Sequence, residues 1–295
     1  MRAVPVALLA LGLGYAGCAA DPAPVPQSQA TRSPSPSTVA VTSTIDAVSV
    51  PFAPLPPALP PDAAAAEAVR LRAALAREVH GLVRQTPSEE HRFIGLAEAM
   101  LASHHVVIDR AQILVVVDRD PHVQQLALVL AQPDAPWEVL GGTHVSTGQP
   151  NRHGYYITPT GVFTHDSSIL DYRALGTYNE NHIRGLGVKG MRVWDFGWQS
   201  ASKGWLHTGE TGDMRLLMHA TDPTYLAQRI GRPASEGCVR IPADMNHFLD
   251  RHGLLDADYE RTATYDVAYR AILPANRAPT PLAGDKLVIV DSSGG

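Results

Sequence analysis

The sequence predicts a mainly β domain, a sandwich or barrel with short helices, preceded by an N-terminal helical hairpin. Three observations carry the prediction. Downstream of Asp109 apolar residues gather in short runs or alternate with polar ones, as in buried and half-buried strands. Turn formers such as Arg119-Asp120-Pro121 and Gln132-Pro133-Asp134 separate the runs at hairpin spacing. Upstream of that point the apolar residues recur at helical spacing instead. With 295 residues, 45% of them apolar and 18% charged, the chain has ample material for a core, which excludes disorder along its whole length. The formal charge is −5 and no basic cluster is present, which argues against a nucleic-acid partner.

In chain order, residues 1–20 have a basic start at Arg2, an apolar stretch from Ala3 to Leu13 and small residues from Ala16 onward. This is the texture of an export signal, too short to span a bilayer permanently. Cys18 stands where a lipoprotein signal places its lipidated cysteine, so the only membrane attachment expected is an N-terminal lipid anchor. The alternative is cleavage after Ala20, which removes Cys18. The expected location is exported and periplasmic. Residues 21–61 hold 11 of the chain's 24 prolines with almost no charge, the composition of an extended tether.

A helical segment is expected over 62–108. Val69, Leu75, Val79, Leu82 and Val83 are expected on one face of its first helix. Thr86-Pro87-Ser88-Glu89 supplies a capping hydroxyl, a proline at the first helical position and a Glu three residues after the cap for its second. Phe93, Ile94, Leu96, Met100 and Leu101 follow as its apolar residues. The main β domain is expected over 109–275. Its strands are QILVVVD (112–118), VQQLALVLA (123–131), WEVLGGTHVSTG (137–148), TPTGVF (158–163), MRVWDFG (191–197), MRLLMH (214–219) and ATYDVAYR (263–270). Asp222-Pro223 opens one short helix ending at Gly231, and Pro242 opens another ending at Gly253. KLVIV (286–290) is a short strand in a C-terminal tail, 276–295.

Two cysteines are too few for a disulfide framework or an all-cysteine metal site. With Cys18 in the signal, Cys238 is a small buried hydrophobe, an intermolecular bridge or a reactive thiol. Its neighbours Ser235-Glu236-Gly237-Cys238-Val239-Arg240 favour the thiol. Gly237 opens space for a substrate, and Arg240, two residues on, shares a face with Cys238 in a strand and lowers its pKa. A nucleophilic thiol needs a base. Of the 13 histidines, His219 differs in ending an apolar strand, which lets its ring project from a rigid element. The aromatic segment 165–213, with Tyr172, Tyr178, Trp194, Phe196, Trp198 and Trp205, forms either a substrate groove, with Trp194 and Trp198 as candidate contacts, or a satellite core. Gly185-x-Gly187-x-x-Gly190 lacks a preceding strand and is not a dinucleotide site. His165, Asp166, His182 and His207 lack paired metal-ligand spacing, so no metal or other cofactor is expected.

His219, fifteen residues, and then Ser235-x-Gly237-Cys238-Val239-Arg240 resemble the signature of the L,D-transpeptidase (YkuD-type) catalytic domain of bacterial cell-wall enzymes. VVVDRDPHVQQLALVL, THVSTGQP and TPTGVF are similar to that family's opening hairpin, its STG turn and its TPxGxF strand, so the likeness runs from about Ala111 to Leu273. Two positions depart from the pattern: Glu236 replaces the usual His before Gly-Cys, and Ala220 replaces the Gly after the base. The resemblance implies that Cys238 is the nucleophile and His219 its base. It implies backbone N–H groups of Gly237 and Cys238 as oxyanion donors, with Ser235, Arg240 and Glu236 supporting the site. Peptidoglycan stem tetrapeptides are the implied substrate and carbapenem-type compounds the implied inhibitors. Attack on the carbonyl of the third residue releases D-alanine, and an acceptor amine then forms a 3–3 cross-link. The alternatives are a hydrolase on the same scaffold, an L,D-carboxypeptidase or amidase, and a non-catalytic wall-binding protein.

Overall fold

The computed structural model describes residues 58–294. The expected signal with Cys18, and the Pro-rich stretch as far as residue 57, lie outside the described residues. The first described helix, α1, spans Pro61–Glu78, and α2 spans Pro87–Ser103. Thr86 caps α2 as expected: its hydroxyl accepts from Glu89 N while the Glu89 carboxylate accepts from Thr86 N at 2.7 Å. In α1 the buried stripe is Ala64, Ala68, Leu71 and Leu75, and Val69 is exposed. Small alanines let α1 approach the sheet closely, so the buried face is set by its alanines more than by its valines.

Nine strands follow in two sheets. A five-stranded sheet contains β1 (Gln112–Asp118), β2 (Gln125–Ala131), β3 (Glu138–His144), β4 (Gly161–Thr164) and β9 (Lys286–Val290), in the order β3-β2-β1-β9-β4. Odd positions of β1, Ile113, Val115 and Val117, join α1 in the main core, while Leu114 and Val116 pack under Phe93, Ala97 and Leu101 of α2. Both faces are covered, which is why QILVVVD has no polar alternation. The two N-terminal helices therefore pack on opposite faces of one sheet and do not form the expected hairpin. β9 is a correction of the same kind. It pairs in parallel with β1 and antiparallel with β4 and is buried at Leu287 to Val290, so the expected tail supplies an interior strand.

The second sheet holds β5 (Tyr172–Arg173), β6 (Arg192–Ser202), β7 (Thr211–Ala220) and β8 (Val239–Ile241), in that order. One face buries Trp194, Phe196, Leu216, Met218, Val239 and Ile241 in the main core. It meets Met245, Phe248 and Leu249 of α3 (Ala243–His252), which ends at Gly253 as expected. After Asp222-Pro223 only a 3-10 turn at Ala227–Arg229 forms, although the Asp222 carboxylate accepts from Thr224 N and Tyr225 N as a helix cap would. ATYDVAYR does not make a strand. It runs from α4 (Ala257–Thr262) into α5 (Val267–Ile272), where the Asp266 side chain caps Ala268 N and starts a helix instead.

An ion cluster anchors the second sheet to its helices. The Arg192 guanidinium, fully buried, bonds Asp171 at 2.8 Å and Asp256 at 3.1 Å and reaches Asp250 at 3.4 Å. His165, expected among candidate metal ligands only to be set aside, bonds Asp171 through Nε2 at 2.9 Å and the Leu255 carbonyl through Nδ1 at 2.8 Å. The free oxygen of Asp171 accepts from Asp195 N at 2.9 Å, which fixes the β6 backbone beside the site described next.

Candidate active site

Alternation along β7 divides its side chains cleanly. Met214, Leu216 and Met218 enter the core, so Arg215, Leu217 and His219 stand on the opposite face. β8 runs parallel to β7 with His219 level with Arg240 and Met218 level with Val239. Val239 and Ile241 enter the core, and Cys238 and Arg240 share the face of His219. Cys238 is thus a diagonal neighbour of His219 on the adjacent strand, level with Leu217. Its Sγ lies 3.9 Å from the Arg215 carbonyl oxygen.

His219 is buried, and its Nδ1 lies 2.6 Å from the Ala220 carbonyl oxygen. A carbonyl only accepts, so Nδ1 carries the proton and Nε2 carries the lone pair a base requires. Burial pushes the imidazole pKa down to about 4, with the Ala220 bond opposing and Arg240 assisting. The ring is neutral at physiological pH. Burial pushes the Cys238 thiol up, and Glu236 and Asp195 add to the rise. Arg240 and a backbone bond from Leu217 pull it down, so Arg240 acts in the expected direction but does not prevail. The Cys238 thiol and the His219 imidazole are therefore both neutral at rest. Glu236 itself is exposed, with its carbonyl accepting from Tyr156 N at 3.1 Å.

The turn before Cys238 is clamped by two hydroxyls. Ser235 Oγ donates to the Cys238 carbonyl at 2.6 Å and accepts from Gly237 N at 3.1 Å. Thr158 Oγ1 donates to the Gly237 carbonyl at 2.7 Å and accepts from Gly148 N at 2.8 Å. Gly237 has φ +132°, and a Cβ there would stand 2.6 Å from Met214 Sδ, so the position excludes any side chain. Ser146 and Arg240 exchange backbone bonds at 2.9 and 2.8 Å, and Ser235 N donates to Thr147 O. The STG turn and the TPTG segment singled out in the sequence are the parts that brace the turn around Cys238. Of the two backbone N–H groups expected as oxyanion donors, that of Gly237 is bonded to Ser235 Oγ.

The aromatic segment splits between surface and core. Trp194, expected at the groove, is fully buried in the main core, because position 194 alternates onto that face. A bulge between Asp195 and Trp198, with Gly197 at φ +75°, sets two β6 residues against one of β7 and turns Trp198 outward. Trp198 and Tyr172 are exposed on the face of Cys238. Two side chains on this face were not singled out in the sequence, Asp195 and Arg215, joined Oδ2 to Nε at 2.7 Å. Counting back by twos from His219 finds Arg215. Arg240 Nη1 donates to the Ala234 carbonyl at 3.1 Å, while its Nε is buried without a partner among the described residues. Among the described residues no group of three or more His, Cys, Asp or Glu is placed to hold a metal ion.

Residues 103–263 match the family model of the YkuD L,D-transpeptidase catalytic domain. No curated relative matches the chain. Among solved structures, a fused Zn-dependent amidase/peptidase/peptidoglycan-binding domain-containing protein from Clostridium acetobutylicum is similar over 72% of this chain and 66% of its own length, just under two thirds. Identity is 11% and the TM-score 0.25, a likeness too slight to bear on fold or function.

Proposed function

The chain belongs to the L,D-transpeptidase catalytic-domain family, and from that premise we propose that it is a peptidoglycan L,D-transpeptidase working through Cys238. The observation that carries the reading is the placement of His219 in β7 and of Cys238 just before the adjacent parallel strand β8, on the same face, with His219 Nδ1 held by the Ala220 carbonyl and Nε2 carrying the free lone pair.

In the first half-reaction Cys238 Sγ attacks the carbonyl of the third stem residue while His219 Nε2 takes the thiol proton. The Cys238 N–H stabilises the oxyanion. The intermediate collapses, the proton passes from His219 to the departing D-alanine nitrogen, and a thioester remains. In the second half the side-chain amine of a neighbouring stem attacks the thioester, its proton returns through His219, and a 3–3 cross-link forms with the thiol regenerated. Because the pair rests neutral, proton transfer and attack are coupled rather than sequential. We propose also that the domain is exported and acts in the periplasm, with Cys18 lipidated.

The test is incubation of purified muropeptides with wild-type and Cys238→Ala protein side by side. Cross-linked dimers and free D-alanine are expected from the wild type only. Tripeptide without dimers assigns the hydrolase, and no product from the wild type refutes the proposal.

A further inference from the structure

Arg215 and His219 stand two residues either side of Leu217, the β7 position level with Cys238. At about 3.3 Å per residue, the base and the guanidinium strand position each lie about 7 Å along the strand from the nucleophile's level, on opposite flanks. The base has its task; the guanidinium has none in the mechanism above. Arg215 is nevertheless built in with care. Its Nε is held by Asp195, a carboxylate 3% exposed, whose other oxygen accepts from Gly197 N at 2.9 Å inside the β6 bulge. Its backbone carbonyl faces Cys238 Sγ at 3.9 Å. The Trp198 ring lies 6.0 Å from the guanidinium carbon, a cation–π distance that limits its sideways movement. With Nε fixed, the edge formed by the two terminal nitrogens carries no bond to protein among the described residues, and the side chain is 43% exposed.

A guanidinium oriented by a buried acid, with its forked edge open beside a nucleophile, suits a planar anion with two oxygens. A surface ion pair of ordinary purpose needs neither the bulge nor the buried partner. The pair also keeps the arginine ordered before any ligand arrives, which lowers the entropic cost of binding.

We propose that Arg215, held by Asp195 in the β6 bulge, binds a carboxylate of the donor stem and thereby selects the stem that acylates Cys238. The inference rests on the transpeptidase reading and deepens it. Two carboxylates of such a stem are within reach of this flank: the one on the terminal D-alanine, a single residue from the scissile carbonyl, and the one at the end of the side chain where the third residue is a diamino diacid. Both present the same chemistry to Arg215. Trp198 lies along the aliphatic part of whichever arm reaches the fork.

The experiment measures kcat/KM for release of the terminal residue from four synthetic donor tetrapeptides: one with both carboxylates free, one amidated on the side chain, one with lysine at position three, and one amidated at the terminus. Wild-type, Arg215→Met and Arg215→Lys proteins are compared. One of the two amidations is expected to slow the wild type on the order of 30-fold, the range of a charge-assisted hydrogen-bonded pair. Arg215→Met is expected to shrink that acid-over-amide ratio to within about threefold, with Arg215→Lys in between because it keeps the charge and loses the fork. If the side-chain carboxylate is the one read, the lysine stem behaves like the side-chain amide; if the terminal one, it behaves like the fully acidic stem. A cooperative thermal unfolding transition followed by circular dichroism reports that each variant is folded. Where Arg215→Met does not fold because Asp195 is left buried without its cation, the double variant Asp195→Asn with Arg215→Met gives the same ratio. A ratio equal in wild type and variants overturns the inference while the transpeptidase reading stands. Absence of release from every stem by the wild type overturns that reading and the inference with it.

Discussion

Acidifying the protein separates a neutral thiol–imidazole pair from the thiolate–imidazolium pair that a cysteine enzyme can also use. In the folded state burial holds His219 at about 4, against an ordinary 6.5. As pH falls the unfolded chain takes up this proton first, so the contribution of His219 to stability is fully present above pH 6.5 and is lost as pH falls toward 4. At 1.36 kcal/mol per tenfold change in proton activity, the loss between pH 7.5 and pH 4 is about 3 kcal/mol. Other carboxylates titrate in the same window, so the comparison is with His219→Asn, which has no proton to gain. Urea unfolding at several pH values should show the wild type losing about 3 kcal/mol more than the variant over that interval. The kinetic counterpart is the rate of Cys238 acylation by a carbapenem, expected to stay within about threefold from pH 5 to pH 8 because the base form is present throughout. An acid limb centred between pH 6 and 7, or equal acid destabilisation of wild type and His219→Asn, would refute the neutral-pair reasoning.

Other expectations follow from the same structure. Gly237→Ala should destabilise by about 1–3 kcal/mol from positive-φ strain alone, and its acylation should fall at least tenfold; shortening Met214 should not restore activity, since the backbone conformation remains wrong. Ser235→Ala and Thr158→Val each free a carbonyl of the nucleophile turn, and each should lower stability by about 1–3 kcal/mol and slow acylation while circular dichroism stays native. Arg192→Met leaves Asp171, Asp250 and Asp256 without their shared cation and should cost about 3–5 kcal/mol in chemical denaturation. Recovery of stability on acidification would accompany it, since those carboxylates then protonate.

The candidate thiol, the candidate base and the segments packed around them are legible because each is a local pattern: a thiol between Gly237 and Arg240, a histidine closing an apolar strand, and the STG and TPTG motifs. The strands of the five-stranded sheet are legible for the same reason, since burial on both faces leaves uninterrupted runs such as QILVVVD. What is not legible depends on partners distant in sequence. KLVIV reads as a short strand, but only its neighbours β1 and β4 make it interior. VAYRAI carries residues that suit a strand, and Asp266 as a cap decides for helix. Trp194 and Trp198 look equivalent until the bulge at Gly197 shifts the register between them, sending one to the core and the other to the surface. The net rise of the Cys238 pKa is a property of burial, which the flanking Arg240 cannot reveal.

The central claim, that Cys238 is the nucleophile and His219 the base that activates it, is tested most directly by the intact mass of the protein after brief exposure to a carbapenem. The account predicts one covalent adduct per chain on the wild type, mapped by peptide digestion to Cys238, none on Cys238→Ala, and labelling of His219→Ala slowed at least 100-fold with its fold retained. An unlabelled wild type, an adduct on Cys238→Ala, or wild-type labelling rates in His219→Ala would contradict it.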